Sequence, residues 1–253
     1  MIIFFPTQLN YQPVRIVSLV PSQTELLHDL GLAESVVGIT KFCIHPKEWL
    51  QTKAIIGGTK NFHPEKVKVL QPDLIIANKE ENIKEQVEAL AKEFNVYVTD
   101  IATLDDALQM IQDVGTITHT STKANEMAKA IKANFRIIRP GKKLKTAYLI
   151  WQNPYITVGS DTFIHSMLNC CGLQNIFVKQ TRYPSIEIGD LKECELLLLS
   201  SEPYPFKQKH IDELQKHLPN TKIMLADGEM FSWYGSRLLH APAYFNRLLR
   251  QIP

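Results

Sequence analysis

Long apolar runs are absent from this sequence. No uninterrupted stretch approaches the roughly 20 apolar residues that a membrane-spanning helix needs, so no membrane insertion is expected. Net charge is also scarce: 28 Lys and Arg stand against 26 Asp and Glu, leaving +2 at pH 7. Basic residues alternate with acidic ones, which reads as solvated surface, so no nucleic acid and no anionic membrane partner is expected. Cysteine is sparse. The four (Cys43, Cys170, Cys171 and Cys194) make no CxxC spacing, so no zinc site is expected, and free thiols fit a reducing compartment. The adjacent pair Cys170 and Cys171 falls late in a helical pattern and is expected to pack as small apolar side chains.

Catalytic signatures are missing too. No GxGxxG follows a strand, and no GK[ST] phosphate loop, GxSxG elbow or HExxH helix occurs. Gly57-Gly58-Thr59-Lys60 is glycine-rich but lacks the spacing that cradles phosphates. The eight histidines are scattered. His45 and His63 both fall in loops, yet two histidines alone make a weak metal site. The expectation is therefore no catalytic residues, no resident metal and no required cofactor. The first residues lack a basic start, a long apolar stretch and a small-residue cleavage site. As it stands this start reads as cytoplasmic; with a leader removed the chain would be periplasmic or envelope-associated.

What is present is one order of elements written twice. The first copy opens with residues 15–20 (RIVSLV), continues through PSQTELLHDLG and reaches residues 36–40 (VVGIT). The second opens with residues 146–151 (TAYLIW), continues through GSDTFIHSMLNCCG and reaches residues 175–178 (NIFV). Each opening run is apolar without helical period, as expected of a strand buried on both faces. A further strand–helix–strand unit follows in each half, at residues 73–78 to 96–100 and 195–200 to 222–227. Ser22 and Glu25 have capping-box spacing, Ser160 is placed as a second helix cap, and Glu80 and Glu81 are expected to open a helix. Between the copies, residues 121–138 form a helix with Ala124, Met127, Ala128, Ile131 and Phe135 on one face, stopped at Pro140 and Gly141. About eighteen residues give roughly 27 Å. The predicted fold is α/β: two similar lobes (residues 1–120 and 141–253) joined by one long backbone helix (121–140), with a ligand cleft between them.

Aromatics cluster just past strand ends, where open α/β sheets bind ligands. Phe42 and Trp49 follow the second strand, Trp151 and Tyr155 the first strand of the second copy, and Tyr204 and Phe206 the strand ending at Ser200. Tyr183 lies in a proline-bearing loop, and Phe231, Trp233 and Tyr234 follow the last strand. Large flat side chains in such places suit a bulky, partly apolar ligand. About half of them are expected to be core instead, Phe231 above all.

These motifs resemble a known family. VRIVSLVPSQTELLHDLGLAESVVGIT, GGTKNFHPEKVKVLQPDLIIAN and TVGSDTFIHSMLNCCGLQNIF are similar to the opening, the glycine turn with its following strand, and the second-lobe helix of the class III substrate-binding proteins of ABC importers. The cobalamin receptors are closest in style, with haem and ferric-siderophore receptors as relatives. The resemblance runs from Arg15 to about Ile252. It implies a monomer that holds a small-molecule ligand between two lobes without changing it, with an ABC permease as a possible partner. It implies ligand contacts at Phe42, Trp151, Tyr183, Glu229 and Trp233, to which the aromatic cluster adds Tyr234, and permease docking through Glu65 and, beside Gly189 where the family's second carboxylate aligns, Asp190. Thr59 and Asn78 stand where the cobalamin receptor has tryptophans. The expected function is binding of a corrinoid, with a metal or metal-chelate (haem or siderophore) receptor or a stand-alone binder outside transport as alternatives.

Overall fold

A computed structural model describes residues 1–252. The chain forms two compact units. Met1–Ile101, Asp105–Lys132 and Tyr234–Arg237 make the first; Ala102–Leu104, Ala133–Trp233 and the chain from Leu238 onward make the second.

The first unit carries strands β1 (Ile2–Ile3), β2 (Ile16–Ser18), β3 (Val36–Ile39), β4 (Ala54–Ile55), β5 (Leu74–Asn78) and β6 (Val96–Thr99). Helices α1 (Pro21–Asp29), α2 (Trp49–Thr52), α3 (Pro64–Val69) and α4 (Lys84–Ala91) alternate with them, followed by α5 (Leu104–Ile117) and α6 (Ser121–Phe135). The strands form one sheet in the order β1-β6-β5-β2-β3-β4, and every pairing is parallel. All residues of β2 and β5 are buried, as a parallel sheet covered on both faces requires.

The second unit holds β7 (Lys145–Leu149), β8 (Tyr155–Ile156), α7 (Phe163–Cys170), β9 (Gln174–Asn175), β10 (Ser185–Ile186), β11 (Leu196–Ser200), α8 (Gln208–Gln215), β12 (Lys222–Ala226), α9 (Gly228–Ser232) and α10 (Ala241–Leu249). Its parallel sheet runs β12-β11-β7-β9, with β10 and β8 pairing apart as an antiparallel ribbon. Leu197, Leu199, Phe206, Leu214 and Ile223 are part of its core. The duplication is visible in the strand order. Within the first sheet β6-β5-β2-β3 has the same succession as β12-β11-β7-β9: fourth, third, first, second. In both sheets the chain leaves β2 or β7 in one direction, for β3 or β9, and later crosses back for β5 or β11. The carboxyl end of β2, and likewise of β7, is therefore a topological switch point, where the connections diverge and leave a crevice.

Helix α6 has residues in both units, 121–132 in the first and 133–135 in the second. Its expected apolar face is correct: Ala124, Met127, Ala128, Ile131 and Phe135 are all buried. The helix ends at Phe135 rather than at residue 138, so its 15 residues span about 22 Å. Three local expectations are corrected. Helix α1 starts at Pro21 with Val20 at the cap position and no side-chain cap bond. Proline's fixed φ suits the first helical position, which places Ser22 inside the helix and frees Glu25 for another partner. The second-copy helix is capped by Thr162, whose hydroxyl accepts the His165 N–H at 3.2 Å, while Ser160 donates to the Gln180 carbonyl. Glu80 and Glu81 do not open a helix: their N–H groups are taken by Asn78 Oδ1, and α4 begins at Lys84.

Candidate functional site

At the carboxyl ends of the first unit's strands the polar side chains are buried and mutually bonded. Asn78 closes β5 and donates from Nδ2 to the Thr99 carbonyl and hydroxyl, both at 3.1 Å. Asn82 Oδ1 accepts the Asn78 N–H, and its amide nitrogen reaches the carbonyls of Leu19 and Thr59. One pair of amides thus joins the loop after β5 to the end of β2 and to the glycine turn. Thr24, Ser18, Thr40 and Cys43 form a second cluster, with the Cys43 thiol 3.0 Å from Thr24 Oγ1 and 3.2 Å from Thr40 Oγ1. Burial raises that thiol above its ordinary pKa, so it stays protonated and serves as packing.

Phe42 rises from this polar floor, 49% exposed. Its ring lies over the turn at Gly57-Gly58. Gly57 has φ +119°, open to glycine at little cost, and a Cβ at Gly58 would collide with Asn61 Oδ1 and press to 3.2 Å on the Phe42 ring. The other loop aromatic of this unit, Trp49, is buried against His28. Tyr234 is buried in the first unit as well. Glu65 lies in the first turn of α3, its side chain 86% exposed. It borders a shallow cavity of about 450 Å³ that also includes Ala54, Ile55, Lys66, Val69 and Leu70 and none of the candidate aromatics.

The second unit presents Trp151 just past β7, 40% exposed. Its ring makes an edge contact with Tyr204 at 5.7 Å, and Tyr204 packs in turn on Phe206 and His210. Hydrogen bonds lock this pillar. His210 Nδ1 accepts the Lys207 N–H at 2.7 Å, which puts the ring's single N–H on Nε2, 3.3 Å from the Tyr204 hydroxyl. The Tyr204 hydroxyl donates to Gln152 Oε1 at 2.9 Å. An exposed indole is thus held by a buried histidine two contacts away. Tyr183 is part-exposed before Pro184 in the segment leading into β10.

Past β12, Asp227 caps α9 by accepting the Glu229 N–H. Its own N–H bonds the Tyr244 hydroxyl, and the Gly228 N–H bonds Ser201 Oγ at 2.9 Å. This turn carries Glu229, half-buried, and Trp233, buried at 7% exposure with its indole N–H donating to Glu202 Oε1 at 2.9 Å. Phe231 is fully buried against Tyr148 and Phe245. Asp190 accepts the Glu187 N–H within a short 3-10 turn. Sequence reasoning missed Glu202 and the His210 pillar; the run past Ser200 drew notice only for Tyr204 and Phe206.

Residues 16–216 match the periplasmic binding protein family model. The chain belongs to the periplasmic binding protein family. Members of this family are non-enzymatic ligand binders. An ABC transporter substrate-binding lipoprotein of Bacillus subtilis is 30% identical over 186 residues, covering 68% of this chain and 58% of that one. The match thus spans less than two thirds of that relative. A vitamin B12-binding protein of Vibrio parahaemolyticus is 27% identical over 206 residues, covering 77% of this chain and 73% of that one. A periplasmic heme-binding protein of Vibrio cholerae shares the fold, with a TM-score of 0.77 at 21% identity over 93% of this chain and 98% of that one.

Among the described residues, no helix is long and apolar enough to cross a membrane. Nor do the described residues bring three or more His, Cys, Asp or Glu together to hold a metal ion.

Proposed function

We propose that this chain is the substrate-binding component of an ABC importer and that its ligand is a bulky, flat, ring-shaped small molecule, a corrinoid in the first instance. One observation carries the reading: Trp151, an indole left in solvent at the switch point after β7, is braced by the Tyr204–His210 pillar. An exposed indole already braced by its neighbours offers a flat apolar surface and loses little entropy on binding. Phe42, exposed at the corresponding end of the first unit's sheet, supplies a second flat surface. The vitamin B12-binding relatives support a corrinoid over other rings. We assign ligand contact to Phe42, Trp151, Tyr183, Glu229, Trp233 and Tyr234, and permease contact to Glu65 and Asp190.

The test is titration of the pure protein with cyanocobalamin, followed by calorimetry and by quenching of its three tryptophans. Saturable heat with parallel quenching is expected; no heat and no quenching at high micromolar ligand ends the corrinoid reading. A haem or a ferric siderophore is the second reading, favoured by the fold shared with heme-binding proteins. A metal carried in by its chelator needs no protein ligand set, so haemin belongs in the same titration.

A further inference from the structure

Two residues past β11, Glu202 sits where no sequence motif marks it. Its Oε1 accepts two hydrogen bonds, from Ser232 Oγ at 2.8 Å and from Trp233 Nε1 at 2.9 Å. Its Cγ packs against Gly228, where a Cβ would collide with it. Its carbonyl takes the Ser200 hydroxyl at 2.5 Å. The side chain is therefore immobile, and it fixes the Trp233 end of α9. Both donors go to one oxygen. Among the described residues no donor meets Oε2, and the residue is only part-buried. The charged side chains that act on Glu202 are Glu229 and Asp227, both acidic. Among the described residues no cation balances it.

A carboxylate oxygen held rigid, short of donors and flanked only by acids is built for an N–H. A carboxamide brings a donor and makes a charge-assisted hydrogen bond. A carboxylate on the ligand brings no donor and meets like charge in a partly buried place. We propose that Glu202 is the specificity residue of the ligand site: with Oε1 it holds the Trp233 turn, and with Oε2 it selects rings whose rim carries carboxamides over rings whose rim carries carboxylates. This deepens the ring-binding reading and rests on it.

The experiment uses two scaffolds, each in amide and acid form: cyanocobalamin against its side-chain monocarboxylic acids, and the diamide of haemin against haemin. Affinities are measured by calorimetry at neutral pH for the wild type and for Glu202→Gln. On whichever scaffold binds, the wild type is expected to prefer the amide by about ten-fold or more, one charge-assisted bond's worth of discrimination. Glu202→Gln is expected to bring that ratio to within about three-fold. Glutamine keeps an oxygen for Ser232 and Trp233, so the tryptophan emission of the free variant should match the wild type. A residue that merely supports α9 would lower both affinities and leave the ratio alone. A wild-type ratio near one overturns the inference, as does a ratio unchanged in Glu202→Gln. Failure to bind either cobalamin form, with haemin diamide preferred over haemin, ends the corrinoid reading while the role of Glu202 stands. A protein that binds neither scaffold overturns both.

Discussion

Trp151 and Trp233 are the same residue type, both past strand ends in the second unit, and they differ in environment. Trp151 is 40% exposed and meets Tyr204 on one edge; Trp233 is 7% exposed and its indole N–H is committed to Glu202. Truncating the first removes ring surface that the fold does not need. Trp151→Ala is expected to change unfolding stability by no more than about 0.5 kcal/mol, and to weaken the bound ring by about ten-fold or more through lost aromatic contact. Trp233→Ala opens a cavity and leaves Glu202 with one donor, so a loss of about 3 kcal/mol or more is expected. Urea unfolding and ligand calorimetry on the two variants separate these effects. A Trp151→Ala protein that binds cyanocobalamin as the wild type does would remove Trp151 from the site.

Glu25 and Arg237 show what an element owes to distant chain. Arg237 belongs to the four-residue segment Tyr234–Arg237 that joins the first unit while its flanks join the second. Its guanidinium forks onto the Glu25 carboxylate on α1 at 2.6 and 3.0 Å, with both side chains largely buried. Burial raises the pKa of Glu25, and Arg237 opposes that rise. A carboxyl whose folded pKa lies above its unfolded value binds its proton more tightly in the folded state. Its contribution is full below the ordinary 4.5 and is lost as pH climbs through the folded value. Removing the arginine widens that window. Arg237→Met is expected to cost about 3 kcal/mol at neutral pH, because it strands a buried carboxylate, and its deficit should shrink as pH falls toward 4.5. The double variant Glu25→Leu/Arg237→Met should recover most of the loss. Urea unfolding across pH checks the sign; a deficit that grows on acidification refutes it. The pair is separated by 212 positions, which is why local spacing read Ser22 and Glu25 as a capping box. Elements that depend on local pattern were legible: the apolar runs of β5 and β11, and the buried face of α6. So was the repeated order of elements along the chain. Features set by partners far along the chain were not, and the supports of the candidate aromatics are among them. Glu202 acquires its role from Ser232 and Trp233, 30 and 31 residues on, and the bracing of Trp151 depends on His210, whose spacing from it has no period.

At the scale of the whole molecule, two compact units invite the question of how many thermal transitions the protein has. Single domains unfold in one step, but chains of two units need not. A ligand that binds only the folded form stabilises what it touches by about 2.7 kcal/mol at a hundred times its Kd. For a chain near 250 residues each kcal/mol raises Tm by roughly 2–4 °C, so a shift of about 5–10 °C is within easy reach of scanning calorimetry. The pattern of the shift is informative. If the ring ligand draws on Phe42 of the first unit and Trp151 of the second, both units are stabilised together, and two separable transitions should rise and merge on adding cyanocobalamin. If it rests on the second unit alone, one transition should move and the other stay. Phe42→Ala sharpens the comparison, because removing that exposed ring should cancel the rise of the first unit's transition and leave part of the second's. A cyanocobalamin-induced shift of a single transition, unchanged in Phe42→Ala, would take the first unit out of ligand binding.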